Sequence, residues 1–379
     1  MKKIAIIGGY QTAFGELWEK SLGDLIEEAG IGAISDSGIE KNDVNCLYLG
    51  NMAAGRFVGQ EHVAAFAADC LSLKVPAIRC EAACASGALA FSQACIKILS
   101  GKAETALVIG AEKMTDVIGS EAVTTLMGAG DSEWESSIGL TFAGLYALMA
   151  RAHMHRYKTT REQLAMVAVN NHKNGQKNEK AQFRFPITVD DVIKSAVIAD
   201  PLRLLDCSPI TDGAASVIVA SEDYVQKKKI ENPVWVLGSS HGSDSIGLHD
   251  RADITEMASV KKAAKDVFDE SGLKHKDIDV VELHDCFTIN EIIGLESMGF
   301  CEKGKGGTFV EESELPTNTT GGLKSCGHPV GATGVRQIID IYRQLKGVSI
   351  NQVKGAEHGL ALNVGGSGAT AIIHILGVE

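Results

Sequence analysis

Short apolar runs that end in small residues recur along the chain, and each is followed by an amphipathic helical pattern. KIAIIGG at 3–9 and VWVLGSS at 234–240 predict strands. SLGDLIEEAGIGAISD follows the first and SVKKAAKDVFDE the second, and both helical patterns stop at a Ser-Gly pair. An aliphatic strand comes next in each copy, so SGIEKNDVNCLYLGN at 37–51 aligns with SGLKHKDIDVVELHD at 271–285. Both halves therefore open strand, helix, strand, which predicts an internally duplicated α/β fold.

The two copies do not stay in step. The first strands are offset by 231 residues and Cys84 aligns with His328 at an offset of 244, but GAASVIVA at 213–220 aligns with GATAIIHI at 368–375 at only 155. The drop from 244 to 155 puts about 89 extra residues into the first half. The expected division is a first half at 1–114 and 200–230, an inserted loop subdomain at 115–199, and a second half at 231–379. Within the insert, TFAGLYALMARAHMHRYKTT and REQLAMVAVNNHKNGQKN read as helices.

Composition narrows the function classes. With 379 residues, 45% hydrophobic and 22% charged, the chain can bury two or three domain-sized cores, which argues against disorder. A net charge of -12 offers no broad positive field for nucleic acid. Nine cysteines without a CxxC pair suggest neither a disulfide framework nor a zinc site and fit a reducing cytoplasm. The N-terminal run reads as a first strand rather than a signal peptide, and the glycine-rich stretch 358–378 is a poor membrane span.

Four segments carry candidate chemistry. In IRCEAACASGALAFSQACIKIL, Cys84 stands where an extended run gives way to a small-residue helix. There the helix dipole and free N–H groups are expected to lower the thiol's pKa, although a buried core cysteine has the same local pattern. In KSCGHPVGATGVRQIIDIYRQL, His328 precedes Pro329, a residue suited to a first helical position, and mirrors Cys84 across the duplication. VVELHDCFTINEI runs aliphatic residues into His284 and Cys286, at the strand end where α/β sheets hold ligands, and the two point the same way if the strand continues. GLALNVGGSGATAII contains a glycine turn able to present backbone N–H groups, or simply a tight turn.

Together these segments resemble the thiolase family over nearly the whole chain. The resemblance rests on the CxS-type loop Cys84-Ala85-Ser86, on Gly327-His328-Pro329 and on PLRLLDCSPITDGAASVIV at 201–219. HDCF at 284–287 and TGGLKSCGHPVGATG resemble the sterol-carrier-protein-type and archaeal branches, where other thiolases carry NEAF. The family's second cysteine, in a CxG segment, is replaced by Asn363-Val364-Gly365, and in the HDCF branch that role falls to Cys286.

The resemblance implies duplicated βαβαβαββ halves in a five-layered αβαβα sandwich. It also implies an acetyl-CoA C-acetyltransferase that makes acetoacetyl-CoA for hydroxymethylglutaryl-CoA (HMG-CoA) synthesis in the mevalonate pathway. His328 would deprotonate Cys84, which takes the acetyl group, and Cys286 would remove the α-proton. The N–H groups of Cys84 and Gly365 would form one oxyanion hole, His284 and His328 the other, with Phe287 and Asn363 at the substrate. Coenzyme A thioesters are then substrates, and no cofactor or metal is implied.

A homodimer or homotetramer is expected. The end at Glu379 resembles stand-alone archaeal members, which associate with HMG-CoA synthase and a small OB-fold, zinc-ribbon acyl-CoA-binding protein. Lys180 and Arg184 are candidates for holding the CoA phosphates.

Rival readings are weaker. IIGGYQTAFG lacks the GxGxxG spacing of a dehydrogenase, and His153 and His155, two apart on a helix, do not face each other as metal ligands would. HMG-CoA synthases typically use a Glu base and ketoacyl synthases a His-His pair. A degradative thiolase for longer chains and a non-catalytic scaffold remain the alternatives.

Overall fold

The computed structural model describes residues 3–312 and 315–378; Glu379, where the sequence reading ends, lies outside them. The first half begins β1 (Ile4–Gln11), α1 (Leu22–Ser37), β2 (Leu47–Gly50), α2 (Ala54–Phe57), α3 (Val63–Cys70), β3 (Ala77–Cys80), α4 (Ser86–Leu99) and β4 (Thr105–Glu112). Then come α5 (Gly119–Met127), α6 (Phe142–Tyr157), α7 (Arg161–Gly175), α8 (Val189–Lys194) and a small β5 (Val197–Ala199) and β6 (Leu202–Arg203) pair. β7 (Gly213–Ser221) and α9 (Glu222–Lys228) close the half. The second half contains β8 (Val234–Ser243), α10 (Ala258–Ser271), β9 (Val280–Glu282), α11 (Thr288–Met298), α12 (Gly306–Glu312) and α13 (Gly322–Cys326). It ends in α14 (Thr333–Leu345), β10 (His358–Gly365) and β11 (Thr370–Gly377).

The Ser-Gly stops act as the pattern predicts. α1 and α10 end in Gly38 and Gly272, at φ 68° and 73°, a left-handed conformation that costs glycine little. At its start, α1 is locked by a reciprocal cap in which the Ser21 hydroxyl accepts from Asp24 N at 3.1 Å and Asp24 accepts from Ser21 N at 2.8 Å.

One nine-stranded sheet runs in the order β3-β2-β4-β7-β1-β8-β11-β10-β9. Its halves mirror each other about the antiparallel β1–β8 contact, where Ala5 faces Trp235 and Ile6 faces Val234. The symmetry is incomplete. The third strand of the second half, expected from the βαβαβαββ repeat, is reduced to a single parallel bridge between Val281 and Thr317.

α4 and α14 pack against each other between the two half-sheets, with α1 and α10 on the outer faces, which gives the five layers. The central core joins Phe91, Ala94 and Ile98 of α4 to Val335, Ile338 and Ile339 of α14. α14 is buried on nearly every side and α4 on the side that faces it, α4 leaving Gln93, Ile96 and Leu99 exposed, so close approaches around them fall on small residues. A Cβ on Gly334 would come within 2.4 Å of Ala88 N, and one on Gly110 within 2.4 Å of Gly331 O.

Residues 113–212 separate β4 from β7, where 366–369 suffice between β10 and β11. Asp212 ties the base of this long excursion together. Its carboxylate accepts from Lys113 Nζ at 2.8 Å, Met114 N at 2.6 Å, Thr115 N at 2.9 Å and Leu17 N at 3.0 Å. Leu145, Tyr146, Met149, Leu164 and Val167 from α6 and α7 share a core with Leu283, Cys286, Ile289 and Ile293 of the second half. Among the described residues, no helix is long and apolar enough to cross a membrane.

Candidate active site

Three loops converge at one end of the central helices. The Cys84 loop is shaped by strain and by a hydroxyl: Ala83 adopts φ 52°, unusual for a residue with a Cβ. Ser86 holds it there, its Oγ donating to Ala83 O at 2.6 Å and accepting from Ala82 N at 2.9 Å. The serine of the CxS segment is therefore a clamp on the nucleophile loop.

The HDCF loop leaves the sheet earlier than the sequence suggests. β9 ends at Glu282, because Leu283 N donates to the Asn318 side chain at 2.7 Å instead of to a neighbouring strand. Gln337 Nε2 donates to Leu283 O at 2.9 Å and Asn290 Nδ2 donates to His284 O, so a buried loop has its backbone satisfied by side chains. Asp285 joins this loop to the next one. It accepts from Leu323 N at 2.7 Å and Lys324 N at 2.9 Å, at the start of the turn that leads to His328. His328 and Pro329 do not start a helix directly; α14 begins at Thr333, after a turn in which Pro329 O accepts from Ala332 N.

A donor atom from each of Cys84, His284 and His328 lies within 4.8 Å of the others, and the imidazole centroids are 5.1 Å apart at 83°. Opposite tautomers follow from the hydrogen bonds. Thr333 Oγ1 gives its proton to Pro329 O at 3.0 Å and so accepts from His328 Nδ1 at 2.7 Å, which leaves Nε2 with a free lone pair. Asn363 Nδ2 donates to His284 Nδ1 at 3.0 Å, which puts the proton of His284 on Nε2. Both Nε2 atoms are buried without a protein partner. One is a base and the other a donor. This trio is the one His/Cys/carboxylate cluster with metal-ligand spacing among the described residues, but the protonated His284 Nε2 cannot ligate in this tautomer.

Burial pushes the Cys84 thiol up to about 12 and the His328 imidazole down to about 3. The expected lowering by the α4 dipole is outweighed by desolvation, the amides of Gly366 and of Cys84 itself offsetting only part of it. Desolvation also raises the Cys286 thiol well above its ordinary value and lowers His284 well below its own. At rest the site is neutral: two thiols and two uncharged imidazoles.

Two residues expected at the substrate also make internal contacts. The Asn363 amide is committed to His284, and Phe287 stacks on Tyr146 with centroids 4.7 Å apart. The Gly366 amide favours the Cys84 thiolate. Gly365 itself lies so close to the Cys84 loop that a Cβ would meet Ala82 O at 2.4 Å. The Lys180 ammonium sits 3.8 Å above the Tyr10 ring and on the Gln11 carbonyl, so it is not free for a phosphate, while Arg184 is exposed. His153 is buried between Thr159 and Glu296, away from His155. A cleft of about 630 Å³ opens beside Ala82, Ala83 and Gly365, with Arg56, Arg79, Glu61 and Glu81 on its walls.

Tyr146, Thr333 and Glu112 were not singled out by the sequence. Glu112 accepts from Met52 N at 2.8 Å and Ala53 N at 3.1 Å and from the amide of Gly331, joining both halves beneath Cys84. Thr333 was findable, since it lies within the GHPVGATG segment. Tyr146 was not, because a tyrosine on an apolar helix face reads as core.

This fold, with a cysteine and a histidine on mirrored loops, defines a class of enzymes that carry acyl groups on a thiol. Residues 4–223 match the family described as "Thiolase, N-terminal domain" and residues 240–378 match "Thiolase C-terminal domain-like". The chain belongs to the thiolase family, and it is an acyltransferase.

It is 48% identical over 383 residues to an acetyl-CoA acetyltransferase of Methanothermobacter thermautotrophicus, covering 99% of each chain. Identity to the acetyl-CoA acetyltransferase of Methanocaldococcus jannaschii is 44% over 395 residues, again with 99% of each covered. Sterol carrier protein 2 of Gallus gallus is 31% identical over 392 residues, covering 98% of this chain and 71% of that one. Among solved structures, the Ltp2-ChsH2(DUF35) aldolase superposes with a TM-score of 0.86 at 27% identity, covering 99% of this chain and 98% of that one.

Proposed function

We propose that the chain condenses two molecules of acetyl-CoA reversibly to acetoacetyl-CoA and CoA. The observation that carries this reading is the pair of buried, unpartnered Nε2 atoms of opposite character beside Cys84. Their tautomers are those the two half-reactions need.

In the first half, the lone pair of His328 takes the Cys84 proton, the thiolate attacks the acetyl carbonyl, and CoA leaves as a thiolate. Only after the acetyl group has moved to Cys84 does Cys286 give that thiolate its proton and become a thiolate itself, so acyl transfer does not depend on Cys286. In the second half, Cys286 takes an α-proton from the second acetyl-CoA, while the N–H groups of His284 and protonated His328 face the enolate oxygen. The carbanion attacks acetyl-Cys84, and the departing sulfur recovers its proton from His328. Protons balance over the cycle: Cys84, Cys286 and His328 return to their starting states. The amides of Cys84 and Gly365 are the donors for the acyl oxygen in this scheme.

Incubation with radiolabelled acetyl-CoA should leave acetyl on Cys84, and Cys84→Ala should lose both condensation and thiolysis. Label on another residue, or an active Cys84→Ala variant, would sink the assignment. Comparison of acetoacetyl-CoA with longer 3-ketoacyl-CoAs tests chain length, and preference for the longer ones would favour a degradative role.

The reading extends to a setting. A first half at 1–114 and 200–230, an insert at 115–199 and a second half at 231–379 work in the cytoplasm as a homodimer or homotetramer. An edge strand, β3, with Ile78 48% exposed, supports self-association. The product feeds HMG-CoA synthase in the mevalonate pathway, and a small OB-fold, zinc-ribbon protein helps to hold CoA. Similarity to an aldolase named for both Ltp2 and ChsH2(DUF35) supports a second protein alongside. Light scattering tests the assembly, and affinity capture from the native organism tests the partners; a fully active monomer that captures neither would count against both.

A further inference from the structure

Tyr146 comes from α6 in the inserted segment, yet its side chain reaches the reacting sulfurs. It is 1% exposed and stacks on Phe287, the residue after Cys286, with ring centroids 4.7 Å apart at 28°. Its hydroxyl donates to Gly366 O at 3.0 Å, its ring packs in the buried core that also holds Cys286, and the phenol and the Cys286 thiol shift each other's ionisation. The amide of the same Gly366 points at the Cys84 sulfur. One glycine thus touches the nucleophile through its N–H and Tyr146 through its carbonyl.

A phenol buried among apolar side chains normally gives its proton to one fixed acceptor. This one has two acceptors of very different strength. A neutral thiol is a poor acceptor, so the hydroxyl rests on Gly366. A thiolate is a strong one, and charge-assisted bonds are roughly twice as strong as neutral ones. The groups facing Cys286 are Cys84, Asp285 and Tyr146, with Arg251 beyond Tyr146 held on Ser367 O at 2.6 Å. Of the three that face Cys286, Tyr146 is the one that still offers a proton in the carbon–carbon step: Cys84 then carries the acetyl group and has no proton to give, and an ionised Asp285 repels a thiolate.

We propose that Tyr146 is a positioning residue for the carbon–carbon step, its hydroxyl turning from the Gly366 carbonyl to the Cys286 thiolate whenever that thiolate forms. The inference rests on Cys286 as the α-proton base. The tyrosine keeps its proton throughout, so the balance of the two half-reactions is unchanged. Burial holds the phenol proton far above its ordinary pKa, in keeping with a pure donor. Release of the Gly366 carbonyl at the same moment frees the turn beside acetyl-Cys84, so formation of the base and the geometry of the acyl-enzyme are coupled through one peptide unit.

Tyr146→Phe keeps the stack on Phe287 and removes only the hydroxyl. Cys84 acetylation by labelled acetyl-CoA should proceed at the wild-type rate. Exchange of acetyl-CoA α-protons in D2O should fall about ten- to a hundredfold, the value of one hydrogen bond to a charged group, and its pH profile should move up by about one unit. Unchanged exchange, or an equal fall in acetylation, would overturn the role of Tyr146.

The Cys286 reading is tested separately. Cys286→Ala in the otherwise native enzyme should abolish exchange, and if it does not, that reading fails whatever Tyr146 does. Should Tyr146→Phe not fold, 3-fluorotyrosine at position 146 keeps the hydroxyl and strengthens the donor. Iodoacetamide labelling of Cys286 against pH, in a Cys84→Ala background, should then show a lower midpoint. An unmoved midpoint refutes the proposal.

Discussion

The Asn363 amide donates to Nδ1 of His284 at 3.0 Å, and this contact decides which ring nitrogen carries the proton. Asn363 thus leaves the buried, unpartnered Nε2 of His284 as an N–H donor. Asn363→Asp should reverse the arrangement, since a carboxylate accepts from Nδ1–H and leaves Nε2 as a lone pair facing an oxyanion. Condensation should fall about 10²- to 10³-fold in kcat, the usual cost of one oxyanion donor. Steady-state kinetics beside a thermal melt checks this, and a folded, fully active variant would refute the tautomer argument.

Cys286→Ser should separate the half-reactions. A serine hydroxyl cannot supply a base at neutral pH, whereas Cys84 and His328 are untouched. Acetyl-Cys84 should accumulate without acetoacetyl-CoA, as seen by mass spectrometry of the intact protein. Normal condensation would place the base elsewhere.

Asp212→Ala should destabilise the fold by about 3 kcal/mol or more, because it leaves three backbone amides without their acceptor and takes from the Lys113 ammonium one of its two carboxylate partners, Asp116 remaining. Urea unfolding measures the loss. A change under 1 kcal/mol, of about the size of an exposed pair, would show that the base of the insert is held by other contacts.

Glu291 makes stability depend on pH. Burial and the neighbouring Asp285 raise its carboxyl from 4.5 to about 8, although Asn171 and Asn318 donate to it. A raised acid binds its proton more tightly when folded, so its contribution is complete below pH 4.5 and is lost as pH rises toward about 8. Melting temperature should therefore decline across that window, and Glu291→Gln should flatten the decline. An identical slope in the variant would show that Glu291 does not titrate there.

The parts of the fold legible in the sequence were those that depend on local pattern or on comparison of the chain with itself. The helix stops at Gly38 and Gly272 follow from the backbone freedom of glycine at a Ser-Gly pair. The convergence of Cys84 and His328 was legible because the duplication assigns them mirrored positions ahead of α4 and α14. The early end of β9 was not legible, since the competitor for the Leu283 amide is Asn318, far along the chain.

By itself, the sequence determined the duplicated halves, the position of the long excursion, and the identity of the thiol and imidazole groups, because these are matters of periodicity, spacing and residue chemistry. Only the tertiary structure decided what state those groups are in. Desolvation, which holds Cys84 at about 12 and His328 at about 3, exists only once the loops are packed. The tautomers of His284 and His328 depend on Asn363 and Thr333 arriving within 3.0 Å and 2.7 Å of a particular ring nitrogen. The place of Tyr146 in the core that holds Cys286 depends on a helix from the long excursion between β4 and β7 packing on the second half, a distance in space that no local pattern encodes.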